Sequence, residues 1–480
     1  MSQHHRITPY TTGTAPGRWW LLGHAARIMK DPLAFLTSLS AHADLVRISI
    51  GPWHGLVVCH PDLVHRVLMD DRTFDKDGPI YEQSKRTLGE GLVTCPHQAH
   101  RRQRRLLQPA FRRDRLPAYA ATMTGHIDTM TRSWADGQTI EAFSCMHANS
   151  ARVATATLFA AGPDEAAITE MVRCIDIIVK AGFWNMFAPL GRQLAPWNRR
   201  CARAQATLNA TIDGIISDYR RRGRRHEDML SLLLEARDEA RDGDGSNGDG
   251  SNEDGTDQDG TDGLAPSEIH DQVMSFLMAG IDTTGSTMAW ACHLLAENPG
   301  IQERVRAEVH TVLRGRAAEW HDLPRLELTG RVISEALRLY PPGWLFTRTV
   351  TQDSRLGDTV LPRGTTVIFS PYQMHRQGGL FPDPERFDPD RWLTTPAGRL
   401  PRGAYIPFSA GARQCIGNDF GLTEATLTLA TVIDRWHLHP RPGSPVRPVP
   451  GLALRPTPIP LRLRRTSHDA STDADGPAGA

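Results

Sequence analysis

The chain has 480 residues, 55 basic against 54 acidic side chains, and 40% apolar residues. That length suits either one large core or a few domains of about 150 residues, and the balanced charge excludes a nucleic-acid binder built on a basic excess. Seven cysteines, at positions 59, 95, 145, 174, 201, 292 and 415, form no Cys-x-x-Cys pair, which fits reduced thiols in a cytoplasmic protein.

Residues 1–16 are polar and lack the charged-then-apolar pattern of a secretion signal. Trp19, Trp20, Leu21 and Leu22 form a run too short to cross a bilayer, and no run of 18 apolar residues occurs anywhere in the sequence. Residues 1–15 read as a flexible lead, 16–466 as one integrated unit, and 467–480 as a disordered tail. Helical spacing is expected over 25–43, 61–69, 97–135, 148–161, 165–180, 200–222, 227–238 and 266–297. Residues 45–50 and 55–59 read as a hairpin, and short strands are expected at 345–350, 358–361 and 365–369. Residues 242–263 carry eight acids and no basic residue. They read as a solvated acidic insertion, because such a segment cannot bury enough apolar surface to order itself. The fold class is mainly α with a small β region. Arginine outnumbers lysine 51 to 4, which reads as the coding bias of a GC-rich bacterium.

Four motifs carry the chemistry. Phe408-Ser409-Ala410-Gly411-Ala412-Arg413-Gln414-Cys415-Ile416-Gly417 sets a cysteine in a glycine-flanked loop that opens a helix. Loop amides and a helix N-terminus there are expected to lower the thiol pKa and favour a thiolate, the ligand that a soft metal or haem iron takes. Ala279-Gly280-Ile281-Asp282-Thr283-Thr284 puts an acid beside alcohols in an otherwise apolar helix. That is expensive unless those groups are used, and the Gly-Thr-Thr step permits a local opening of the helical ladder. Glu335 and Arg338 are an i,i+3 pair ahead of Tyr340-Pro341-Pro342, and Pro384-Glu385-Arg386-Phe387 follows. His100 and Arg104, four apart, reach one side of a helix.

Together these resemble, in order and at every fixed position of the cysteine loop, the cytochrome P450 family; the likeness spans about residues 16–465. The resemblance implies the P450 fold and haem b (iron protoporphyrin IX) with Cys415 as the metal ligand in a loop bounded by Phe408 and Gly417. It implies Thr283 as the oxygen-side alcohol, Asp282 as the proton-relay acid, and Ala279 against the cofactor. His100, Arg104, Arg348 and Arg413 take the propionate positions, with His100 standing where many members carry tryptophan. Glu335, Arg338 and Arg386 support the core beneath the haem, the Pro-Glu-Arg-Phe arginine locking onto the helical pair. The implied activity is monooxygenation: one atom of dioxygen enters a lipophilic small molecule by hydroxylation or epoxidation.

Aromatic and aliphatic residues Phe183, Trp184, Phe187, Phe276, Trp344 and Leu345 are expected pocket walls. The sequence around Tyr340-Pro341-Pro342-Gly343-Trp344 resembles bacterial members that oxidise terpenoids in secondary metabolism; fatty acid or macrolide hydroxylation is the alternative. Residues 101–115 hold seven arginines and one aspartate, a basic face suited to an acidic ferredoxin or flavodoxin served by its reductase. No nucleic acid is expected as a partner, and monomer is the default state. A non-catalytic haem-thiolate sensor is the rival from another class, against which the Asp282-Thr283 pair speaks. A cysteine-nucleophile enzyme fails because Arg413, the ionisable neighbour of Cys415, cannot act as a base near pH 7.

Overall fold

The structure is a computed structural model that describes residues 9–160, 162–187, 196–222, 228–242, 264–394, 397–443 and 445–466. The acidic stretch 243–263 and the tail 467–480 lie outside the described residues. So do the side chains of Phe183, Trp184 and Phe187, although the helix Glu165–Phe187 carries their backbone.

Helices dominate, and prolines decide where several expected ones break. Residues 25–43 divide into Ala25–Lys30 and Pro32–Leu39, because Pro32 suits a first helical turn and Asp31 accepts from the Ala34 amide at 2.9 Å. The expected 97–135 helix likewise becomes His97–Leu107, a 3₁₀ turn Gln108–Phe111 and Leu116–Arg132, with Pro109 and Pro117 at the two restarts. The next helix, Ala142–Leu158, starts six residues ahead of its apolar pattern. The Glu141 carboxylate accepts from the Phe143 and Ser144 amides there and supplies the cap.

The hairpin of strands Leu45–Ile50 and Trp53–Val58 pairs Leu45 with Val58 and Ile50 with Trp53. It belongs to a six-stranded mixed sheet in the order Thr12–Thr14, Leu45–Ile50, Trp53–Val58, Thr366–Phe369, Phe346–Val350, Phe74–Asp75. A smaller sheet joins Trp436–Pro440, Pro460–Arg465 and Thr139–Glu141. Sheet residues from both ends of the chain therefore flank the helices.

At the centre runs the 32-residue helix Pro266–Glu297, packed on Ala142–Leu158, Glu327–Leu339 and Asn418–Arg435. It is apolar nearly all round because it is buried nearly all round. Leu277, Ile281, Trp290 and Leu295 are essentially inaccessible, each such side chain contributing about 1.5–3 kcal/mol. Its middle turns border a cavity, and that cavity organises the site. Among the described residues no helix is long and apolar enough to cross a membrane.

Candidate active site

A cavity of about 470 Å³ lies between the central helix, the helix His97–Leu107, the strand Phe346–Val350 and the cysteine loop. The loop is strained into shape. Ser409 and Gly411 sit at φ of 60° and 70°, and a Cβ on Gly411 would lie 2.3 Å from the Leu68 carbonyl oxygen, so only glycine fits there. Beyond that turn the Cys415 amide donates to the Phe408 carbonyl at 2.9 Å, and Gly417 caps the helix Asn418–Arg435. Cys415, set deep among protein atoms, is accessible from the cavity, which it lines together with Phe408 and Gly417.

The thiol pKa departs from the sequence expectation. The Gly417 amide, Arg104 and Lys76 do favour the thiolate, but burial among protein atoms outweighs them and pushes the thiol up. A bound metal cation, which deprotonates a coordinating thiol outright, supplies what the loop does not.

Cationic groups gather on one side of the cavity. His100, Arg104, Arg348 and Arg413 all line it. Arg413 spans to Asp75 at 2.7 Å and Asp71 at 3.3 Å while donating to the Cys95 carbonyl. Arg104 donates to the carbonyls of Ala412 and Gln414 and so braces the cysteine loop. Arg348 donates to the Tyr81 hydroxyl at 3.1 Å. Lys76, absent from the sequence reading, completes the group by donating to the Val93 carbonyl at 2.7 Å. Burial, then Arg348 and Arg413, lower its pKa to about 7. Burial, then Arg413, Lys76 and Arg104, push His100 down to about 2.

Burial is the larger cause at both groups and the neighbouring cations the second. The donor set fits a bound dianion such as a pair of haem carboxylates, and the facing Cys415 fits its iron.

Across the cavity the central helix presents Phe276, Ala279, Gly280, Asp282 and Thr283. The helical ladder continues unbroken through these residues. The Thr283 hydroxyl donates to the Ala279 carbonyl at 2.6 Å and the Thr287 hydroxyl to the Thr283 carbonyl at 2.9 Å, the back-bonding that lets serine and threonine sit in helices. Asp282 Oδ1 accepts from Arg455 Nε at 2.6 Å and lies 3.6 Å from His147 Nε2, whereas Oδ2 has no hydrogen-bond partner among the described residues. Arg455 also holds Asp176 at 2.9 Å. No local pattern around Arg455 or His147 points to Asp282; both arrive from distant segments. Trp344 and Leu345 line the cavity as expected from the sequence; Trp344 is held there by its Nε1 donating to the Gly451 carbonyl.

Glu335 and Arg338, both fully buried, form a two-pronged pair at 2.8 and 2.9 Å. The expected third member is different. Arg386 is exposed and contributes its backbone carbonyl to Arg338, while Arg391 places Nε 3.4 Å from Glu335 and donates to the Pro382 and Asp383 carbonyls. The turn after Pro384 sends Arg386 outward and returns the chain at Arg391, five residues later.

A thiol in a cavity lined by cationic side chains, under a helix that carries an acid beside an alcohol, fits a haem-thiolate oxygenase. The family model for cytochrome P450 matches residues 14–463, and the chain belongs to that family. Its relatives include pentalenene oxygenase of Streptomyces avermitilis, 42% identical over 470 residues that cover 98% of this chain and 99% of the relative. Two more come from Streptomyces melanosporofaciens. Cyclooctatin synthase is 43% identical, covering 94% of each chain, and cyclooctat-9-en-7-ol 5-monooxygenase is 42% identical, covering 94% and 95%. The protein is a P450 monooxygenase, and haem held by a cysteine thiolate is the cofactor of its family.

Proposed function

We propose that this monooxygenase hydroxylates or epoxidises a terpenoid, with electrons from an external acidic ferredoxin or flavodoxin and its reductase, as a single catalytic unit spanning residues 16–466. The observation that carries the substrate class is the segregation of charge in the cavity. Apart from Asp282, which is tied to Arg455, and from Tyr81 and Cys415, the ionisable side chains lining it belong to the cluster of Lys76, His100, Arg104, Arg348 and Arg413. The remaining walls combine apolar side chains, Phe276, Ala279, Trp344 and Leu345 among them, with hydroxyls such as Ser84, Thr157, Ser275 and Thr287, so binding is mainly by shape. A fatty acid carboxylate would have to compete with the haem carboxylates for the one cationic cluster. The Streptomyces relatives, a pentalenene oxygenase and a cyclooctat-9-en-7-ol 5-monooxygenase, support the terpenoid choice.

Bound haem supplies dioxygen activation and oxygen transfer to carbon. Cys415 holds its iron, and His100, Arg104, Arg348, Arg413 and Lys76 hold its carboxylates. The Thr283 hydroxyl borders the cavity and, on releasing the Ala279 carbonyl, can donate a hydrogen bond into it. Asp282 takes protons at Oδ2 while Arg455 fixes Oδ1, so the acid acts as a positioned proton donor. Buried Glu335, Arg338 and Arg391 tie the helix Glu327–Leu339 to the segment 375–391. The exposed Arg101, Arg105, Arg112 and Arg113 offer a basic face to the electron donor. A sensor would have no use for the Asp282–Thr283 pair. The unit works as a cytoplasmic monomer.

The test combines two spectra. The reduced, carbon-monoxide-bound protein should absorb near ~450 nm and Cys415→Ser should lose that band. Among terpenes, fatty acids and macrolides, a terpene should shift the iron from low to high spin. A shift with a fatty acid alone would overturn the substrate class, and a band near ~420 nm in the unaltered protein would overturn the thiolate.

A further inference from the structure

A feature outside the active site is the short turn near the N-terminus. Trp20 is 90% exposed, Leu21 71%, and Trp19 and Leu22 are more than half exposed. Met29, on the following helix Ala25–Lys30, is 76% exposed. Five large apolar side chains close in sequence facing water are costly, and such a patch marks an interaction surface.

The turn is built rather than frayed. The Trp19 amide donates to the Gly23 carbonyl at 2.8 Å and the Gly23 amide to the Trp19 carbonyl at 2.9 Å. Gly23 is pinned against the sheet at φ 60°, where a Cβ would lie 2.4 Å from the Ser49 carbonyl oxygen. The buried His24 ring then joins the Ala15 carbonyl, at 2.9 Å, to the Ser49 amide, at 3.0 Å. The fold therefore holds Trp20 and Leu21 outward.

Charge identifies the occupant. Residues 9–30 contain Arg18, Arg27 and Lys30, all exposed, and no acid. A second copy docked by two-fold symmetry would set these cations against themselves. An anionic lipid surface neutralises them, while tryptophan and leucine enter the headgroup–acyl boundary, the placement that amphipathic anchors use. We propose that the turn at residues 19–22, with Met29, Arg18, Arg27 and Lys30, is a peripheral attachment site for an anionic bilayer.

Gly23 bridges to Ile50 at the end of the strand Leu45–Ile50, whose Val46 and Ile48 pack with Leu454. Two residues before Leu454, Leu452 is 43% exposed and also lines the cavity. The apolar cluster that holds Val46, Ile48 and Leu454 also contains Trp344, a wall of the cavity, so the turn is anchored to the packed body that carries the site.

The experiment is co-sedimentation of the haem-loaded full chain with vesicles of phosphatidylcholine alone or with about a quarter phosphatidylglycerol. The comparison variants are Trp20→Ser/Leu21→Ser and Arg18→Gln/Arg27→Gln/Lys30→Gln. Unaltered protein should bind the anionic vesicles at least about tenfold better than the apolar variant, and binding should weaken from about 0.05 M to about 0.5 M salt. The cation variant should lose its preference for anionic over neutral lipid. An unchanged carbon-monoxide spectrum shows that each variant is folded. Equal sedimentation of all three proteins, or none by the unaltered one, overturns the proposal. So does a concentration-dependent dimer, seen in sedimentation velocity, that disappears with Trp20→Ser/Leu21→Ser while vesicles bind neither protein.

Discussion

Replacing Arg391 by methionine, beside the same change at Arg386, tests which arginine supports Glu335. The Arg391 side chain is 8% exposed; its removal takes away one ion pair to Glu335 and the donors to the Pro382 and Asp383 carbonyls. Glu335 keeps Arg338 and the Asp388 amide at 3.1 Å, so it is weakened rather than orphaned. Orphaning a buried charge costs about 3–5 kcal/mol; losing one of several charge-assisted contacts should cost less, about 2–3 kcal/mol. Arg386 is exposed and works through its carbonyl, which methionine retains; its replacement should stay within about 0.5 kcal/mol. With a urea slope of at least about 3 kcal/mol per molar for a chain of this size, Arg391→Met should lower the midpoint by about 1 M and Arg386→Met by much less. Haem content after purification should follow the same order. Equal losses from the two variants would refute the assignment of Arg391.

Three further outcomes are expected. Thr283→Ala should retain haem and fold but divert electrons to peroxide, cutting product formed per electron pair several-fold; peroxide and product assays check this, and unchanged coupling would remove the role given to the hydroxyl. Burial raises Glu424 from 4.5 to about 8 even though Ser150 donates to it at 2.8 Å. Between those values the folded chain keeps a proton that the unfolded chain has released, so this contribution is full below pH 4.5 and declines as pH rises through about 8. Glu424→Gln should flatten that decline, measured as the difference between urea midpoints at pH 5 and pH 8, and an unchanged slope would assign it to other groups. Lys76→Met should release haem to a scavenging globin about tenfold faster, the loss expected when a charged donor to a carboxylate is removed.

Comparing two segments separates what local sequence determines from what the tertiary structure decides. Cys415, Gly411 and Gly417 were legible because a strained loop and a helix start impose residue types within a few positions of one another, so the pattern is local. Asp282 and Thr283 were legible for a similar reason: polar groups inside an apolar helix announce themselves. Proline fixed helix boundaries that periodicity alone ran through, as at Pro109 and Pro117.

The partners of those residues were not legible. Arg455 reaches Asp282 across 173 positions, and Arg413 reaches Asp75 across 338; no short window contains both ends of either bond. In a chain with 51 arginines, any of several could fill such a place, and Arg391 rather than Arg386 does so because a turn reverses the chain between them. The thiol pKa was misjudged for a related reason. Local amides favour the thiolate, but the desolvation that outweighs them comes from protein packed around the loop. Sequence alone determined the family, the metal ligand's position and the acid-alcohol pair. Which charges meet, and how strongly burial shifts them, depends on three-dimensional distance and dielectric, which only the folded chain sets.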